Sequence, residues 1–157
     1  EMIYHMNNDL FLTKTGGMFV TAILGHYNTI TDEISWVNGG HQPALLRDKN
    51  GKFEQVESAA PPMGVIQQKN KSLYKINRTK LNGKRFYAFT DGLSESLDSK
   101  GNEIGIEGSI KIIEKNFNDD VSKQLSNIAK DVEKSSGKNK LSDDLTLIAI
   151  GKWTKPI

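Results

Sequence analysis

The stretch Lys84–Ser96, KRFYAFTDGLSES, decides how this chain reads. Arg85 to Thr90 is short and rich in aromatic residues, which predicts a buried strand. It runs straight into Asp91-Gly92 and then into a polar run. A strand fixes such a carboxylate rigidly, and the glycine lets the backbone turn and leaves room beside it, an arrangement suited to a metal ion or a phosphate. The same dipeptide also reads as an ordinary turn that stops a strand. A second acidic signal, Ser142-Asp143-Asp144 leading into LTLIAI, favours the first reading, although alone it also fits a charged cap before a buried strand.

Asp91 and Asp143, with Asp144 beside the latter, are therefore the candidate metal ligands. Two aspartates from separate strands converge only if those strands are neighbours in one sheet. Oxygen ligands without His or Cys select hard divalent ions such as Mg²⁺ or Mn²⁺. A pair of such ions about 4 Å apart can activate a water and hold a phosphoryl group for in-line attack. No side chain is needed as the nucleophile in that chemistry.

The bulk properties exclude several alternatives. A chain of 157 residues is one domain by default and can bury about 70% of its unfolded surface. A net charge of +2, with no basic patch interleaved with aromatic residues, gives no reason to expect a nucleic-acid partner. The longest apolar run, near Met18 to Leu24, is too short to span a bilayer, so no direct membrane contact is expected. The absence of cysteine removes disulfides, thiolate metal sites and cysteine nucleophiles, and is compatible with a reducing cytoplasm.

Along the chain, Met2, Met6 and Leu10 recur at spacing four and predict a helix over Glu1 to Leu12 whose beginning is missing. Met18 to Leu24 reads as a strand buried on both faces, Tyr27 to Asp32 as a connection, and Glu33 to Asn38 as the partner strand of an antiparallel hairpin. Short strands follow at Ala44 to Arg47 and Phe53 to Val56 around the turn Asp48 to Gly51, then at Ser72 to Arg78. Stripes at Ile106, Ile110, Ile113, Phe117 and at Val121, Leu125, Ile128, Val132 predict two helices, the second capped by Asp119 or Asp120. Ser135 to Lys140 has no apolar anchor and reads as mobile, and Leu145 to Gly151 is a last strand. Strands first, then helices, then one strand predict an α+β layered domain.

Asn38 to Pro43 is a tight backbone feature in which we assign Gly39, Gly40 and His41 a structural role, with the His41 ring pinning the turn. His41 is also of the type used in general acid–base work. Gly39-Gly40 lacks the spacing of a nucleotide loop, and Ser94 and Ser96 have no base in a recognisable motif. The polar loop Asp98 to Gly105 is expected to lie at the rim of the site as a flap.

Five ordered blocks, FVTAILGHYN, WVNGGHQPALL, APPMGV, FYAFTDGLSES and SDDLTLIAI, resemble the bacterial metal-dependent serine/threonine phosphatases of the stage II sporulation protein E and sigma-factor-regulator type, relatives of phosphatase 2C. The resemblance covers essentially the whole chain. It implies a sandwich of antiparallel β-sheets flanked by helices, and hydrolysis of phosphoserine or phosphothreonine on a protein with two Mn²⁺ or Mg²⁺ ions. Asp91 and Asp143 would be metal ligands, Gly92 the glycine of the first block, and Asp144 a variable neighbour of the site. The substrate implied is a phosphorylated anti-anti-sigma factor.

The family's early Gly-Asp-x-x-Gly-His-Gly block has no counterpart here, and Gly25-His26 does not replace it because no acid adjoins it. The chain therefore reads as one phosphatase 2C-like domain fragment over 1–157. Its upstream strands and any sensor region would lie outside it, and the parent protein could be membrane-anchored through that region. Weak metal affinity, and weak activity or none, are expected of the fragment. A non-catalytic phosphatase-like scaffold is the competing reading, and a sugar- or nucleotide-binding β-rich domain is a third that rests only on the glycine-rich turns.

Overall fold

The structure is a computed structural model that describes residues 1–13, 16–70, 73–98, 100–136 and 144–151. The elements run α1 (Met2–Thr13), β1 (Ala22–Asn28), β2 (Glu33–Gly39), β3 (Ala44–Arg47), β4 (Phe53–Val56), β5 (Asn77–Lys80), β6 (Arg85–Phe89), α2 (Asp91–Ser94), α3 (Gly105–Lys115), α4 (Val121–Ser136) and β7 (Leu147–Ile150). They form a three-stranded sheet ordered β1-β2-β5 and a four-stranded sheet ordered β4-β3-β6-β7. This is the mixed α+β class expected, with antiparallel pairing at every registered contact. Two compact units divide the chain, one of Glu1–Ala44 with Gln55–Asn82, the other of Leu45–Glu54 with Gly83 onward.

In the first unit, β1 and β2 pair from Ala22↔Gly39 to Asn28↔Glu33. Several expectations fail here. The first strand starts at Ala22 rather than Met18, and it continues through Tyr27 and Asn28, which the sequence suggested were a connection. Nor is it buried on both faces: Gly25 and His26 are exposed, and Met18, Phe19 and Val20 are 63%, 59% and 42% exposed. The reason is the strand order, which makes β1 an edge strand with one registered partner. Its extent follows the backbone pairing with β2 rather than its run of apolar residues. Val20 makes only an isolated bridge, exchanging both backbone hydrogen bonds with Met63. The expected strand at Ser72 to Arg78 is also displaced, to Asn77–Lys80, because pairing with Glu33–Trp36 selects that segment. Leu73 and Tyr74 instead join the core of Ile3 and Met63.

A buried amide fastens α1 to this unit. Asn7 is fully buried, and its Oδ1 accepts from Gly64 N–H at 3.0 Å and Tyr74 O–H at 2.9 Å. Its Nδ2 donates to the Ile66 carbonyl at 3.0 Å. Burying an amide is tolerated when its partners are all present.

Asp32, with φ +55°, closes the hairpin. Its carboxylate accepts from Tyr27 O–H at 2.7 Å and from Asn82 N–H at 2.9 Å. Burial, aided by the Asp32 hydrogen bond and charge, pushes the Tyr27 hydroxyl up to about 12. An unfolded tyrosine titrates near 10, so the native state favours the protonated form. That contribution is complete below about pH 10 and is lost as pH rises through about 12. Urea midpoints of the wild type and Tyr27→Phe are expected to converge across that window. Parallel curves would show that Asp32 does not hold the proton.

In the second unit, Leu45, Tyr87, Phe89, Leu93, Ile113, Ile128 and Val132 form one core, with Ile106, Ile110, Leu147 and Ala149 packed against it. Both predicted helices are present, and Asp120 caps α4 by accepting from Ser122 and Lys123 N–H at 2.9 and 3.2 Å. Of the stretch read as mobile, Ser135 and Ser136 complete α4 and the rest lies outside the described residues.

Arg85 fixes the start of β6. It is buried and donates to the Asn118 carbonyl at 2.7 Å, Gln124 Oε1 at 2.6 Å and the Asp119 carbonyl at 3.1 Å. The carbonyl acceptors follow the C-terminus of α3, where the helix dipole also favours a cation. Beside it, Arg47 stacks 3.6 Å from the Phe117 ring centroid while making a bidentate pair with Glu114. β6, which leads into Asp91, is thus held at its far end by the α3–α4 connection.

Candidate functional site

β6 ends at Phe89, Thr90 is extended, and α2 begins at Asp91. The short helix exists because its first carbonyls find partners at once. Leu93 N–H donates to the Thr90 carbonyl at 3.1 Å, and Glu95 N–H to the Asp91 carbonyl at 2.7 Å. Gly92, Leu93 and Ser94 are buried, with Leu93 in the core, while Asp91 is exposed. The Asp91 carboxylate accepts from Gly92 N–H at 3.1 Å. Ser94 and Ser96 point their hydroxyls at backbone, donating to the Asp91 carbonyl at 3.3 Å and the Gly92 carbonyl at 2.6 Å. That use suits anchoring of α2 rather than nucleophilic chemistry.

The second acidic stretch comes directly alongside. β6 and β7 are antiparallel neighbours with Phe89 opposite Leu147. One step on, Thr90 N–H donates to the Thr146 carbonyl at 3.0 Å. Two steps further, the Asp144 backbone crosses Gly92 so closely that a Cβ on Gly92 would lie 2.5 Å from the Asp144 carbonyl oxygen and 2.9 Å from its carbon. Only glycine fits at that crossing without movement. Residues 53 apart in sequence are therefore brought together at Asp91 and Asp144, both exposed. Asp143 lies outside the described residues. Among the described residues no group of three or more acidic or histidine side chains converges.

Gly39, Gly40 and His41 belong to the first unit. Gly40 has φ +70°, and a Cβ there would fall 2.3 Å from the Pro62 nitrogen, so the position needs glycine on two counts. A Cβ on Gly39 would meet Ile3 and Met63 at 3.3 and 3.4 Å. The short bonds of this turn come from Asn38, which the sequence places in the turn, and from Ser58, which sequence reasoning missed. Asn38 accepts from His41 N–H at 2.8 Å and donates to the Gln42 carbonyl at 2.9 Å. The Ser58 hydroxyl accepts from Gly40 N–H at 2.9 Å. The His41 ring nitrogen lies 3.4 Å from the Gln42 carbonyl. Asn before Gly-Gly is a turn signal that pointed to Asn38; nothing local pointed to Ser58.

The segment after α2 is a closed turn. Asp98 accepts from Lys100 and Asn102 N–H at 2.8 and 3.0 Å, and Leu97 bridges Glu103. The backbone hydrogen bond from Asn102, followed by that from Lys100, holds the Asp98 carboxyl below its usual range.

Against this geometry, the sequence profile of stage II sporulation protein E (SpoIIE) matches residues 1–152. The chain belongs to the SpoIIE family. Protein IcfG of Synechocystis sp. is 24% identical over 115 residues, 71% of this chain and 18% of that protein. Among solved structures, the manganese-presoaked phosphatase domain of the cell fate determinant SpoIIE from Bacillus subtilis superposes with a TM-score of 0.68 at 16% identity, covering 99% of this chain and 66% of that one. The RsbU and RsbW domains of Rv1364c from Mycobacterium tuberculosis give 0.67 at 23% identity, covering 90% and 38%. The fold is that of the SpoIIE phosphatase domain, and the chain spans only part of each relative.

Proposed function

We propose that this member of the SpoIIE family serves Mn²⁺- or Mg²⁺-dependent hydrolysis of phosphoserine or phosphothreonine on a regulatory protein of the anti-anti-sigma type. In this reading residues 1–157 are part of one phosphatase 2C-like domain, working in the cytoplasm with an upstream sensor region. The observation that carries it is the crossing of the Asp144 backbone over Gly92, which sets Asp144 beside the Asp91-Gly92 pair at the ends of the adjacent strands β6 and β7. Asp91 and Asp143 would hold the ions, with Asp144 and Gly92 next to them. The donor set fits, since carboxylate oxygens without sulfur or imidazole suit a hard divalent cation. Bound ions of this kind supply positive charge for phosphoryl oxygens and a nucleophile at neutral pH.

The chain's own residues contribute position. Arg85 fixes β6 at one end, Leu93 anchors α2 in the core, and the exposed Asp91 carboxylate is presented between them. No helix among the described residues is long and apolar enough to cross a membrane. The test is Mn²⁺-dependent phosphate release from a phosphoserine protein by a chain extended upstream to include the early acidic block, compared with its Asp91→Asn variant. Binding of the phosphoprotein without phosphate release, unchanged by Asp91→Asn, would establish the scaffold reading instead.

A further inference from the structure

We propose that Thr90 is a positioning residue that sets the separation between Asp91 and Asp144, an inference that rests on the metal-site reading above. In a regular antiparallel ladder the Thr90 carbonyl would accept the Thr146 N–H. Here that carbonyl has turned away to accept Leu93 N–H at 3.1 Å and start α2. The Thr90 hydroxyl takes its place, accepting Thr146 N–H at 2.9 Å. The same hydroxyl donates to the Asp144 carbonyl at 3.0 Å. One side chain thus keeps the sheet closed where the main chain leaves it.

The consequence falls on Asp91. Its two neighbours both engage one atom, the Asp144 carbonyl oxygen: Thr90 by hydrogen bond and Gly92 by having no Cβ in the way. Asp91 sits between them, so the distance from its backbone to Asp144 is set by the Thr90 bond. An aliphatic side chain of the same shape would keep the strand but leave Thr146 N–H and the Asp144 carbonyl without this partner.

The test compares Thr90→Val, which is isosteric, with Thr90→Ser, which keeps the hydroxyl. Both are measured beside wild type and Asp91→Asn for circular dichroism, amide hydrogen exchange at Thr146, and Mn²⁺ binding by calorimetry. Thr90→Val is expected to speed Thr146 exchange and weaken Mn²⁺ binding, each about ten-fold. Thr90→Ser is expected to stay within about three-fold of wild type in both. If Thr90→Val binds Mn²⁺ as wild type does while Asp91→Asn does not, the positioning role is overturned and the metal site stands. If Thr90→Ser behaves like Thr90→Val in a folded protein, the hydroxyl is not the agent and the proposal is likewise overturned. If Asp91→Asn binds Mn²⁺ like wild type, the metal reading falls and takes this role with it.

Discussion

Asp91→Asn is expected to lower Mn²⁺-dependent phosphate release by at least about 100-fold in the upstream-extended chain, with little change in fold. The substitution keeps the size and shape of the side chain and removes its charge. A hard cation held by few carboxylates loses most of its binding free energy with one of them, and about 2.7 kcal/mol in the transition state already amounts to 100-fold. Stability without metal should stay within about 0.5 kcal/mol, because the Asp91 side chain is exposed and its Oδ1 contact is to the adjacent Gly92 N–H, which an amide oxygen also accepts. Metal-linked stability gives an independent readout. Saturating Mn²⁺ stabilises a protein by about 2.7 kcal/mol at 100 times its dissociation constant. Wild type should show a Mn²⁺-dependent rise in melting temperature and the variant none. An equal rise in both would remove Asp91 from the metal site.

Gly92→Ala pits a local preference against a tertiary contact. Gly92 lies within α2, where alanine is the better helix former by about 1 kcal/mol. The helix alone therefore predicts stabilisation. The crossing chain reverses the sign, because the new methyl would stand 2.5 Å from the Asp144 carbonyl oxygen and 2.9 Å from its carbon. These are main-chain atoms on the approach to β7 and cannot swing aside as the end of a flexible side chain can. Overpacking of this kind costs about 1–3 kcal/mol, leaving a net loss of up to about 2 kcal/mol. The functional loss should be larger than the stability loss. Relief of the clash moves the Asp144 carbonyl off Thr90 and widens the gap to Asp91, so Mn²⁺ affinity should fall by about ten-fold or more. Urea denaturation with a Mn²⁺ titration separates the two effects, and wild-type values in both would mean that the 144–145 backbone yields freely.

Most of the second unit could be read along the chain. The aromatic strand at Arg85–Phe89, the apolar stripes of α3 and α4, and the turn at Asp48–Gly51 follow from periodicity and turn chemistry. The turn before β6 is likewise local, with Asn82 and Gly83 both at positive φ. The first unit was less legible. Met18, Phe19 and Val20 look like the start of a buried strand, yet they are exposed and precede it. Apolar character marks what is able to be buried, whereas strand boundaries follow from which backbone groups find partners.

What the sequence by itself determined is the strand beside each acidic stretch and the chemistry the residues there can support: a carboxylate after a strand, a glycine behind it, and oxygen donors alone. Tertiary structure alone decided that Thr90 spans the gap to Thr146 and Asp144, that Ser58 locks Gly40, and that the Arg85 guanidinium is buried among carbonyls and an amide. Each depends on partners 18 to 56 residues away. A threonine or serine hydroxyl is short, tolerant of many settings and equally at home in solvent. Its role becomes visible only when the chain returns and places a donor or acceptor within hydrogen-bonding distance.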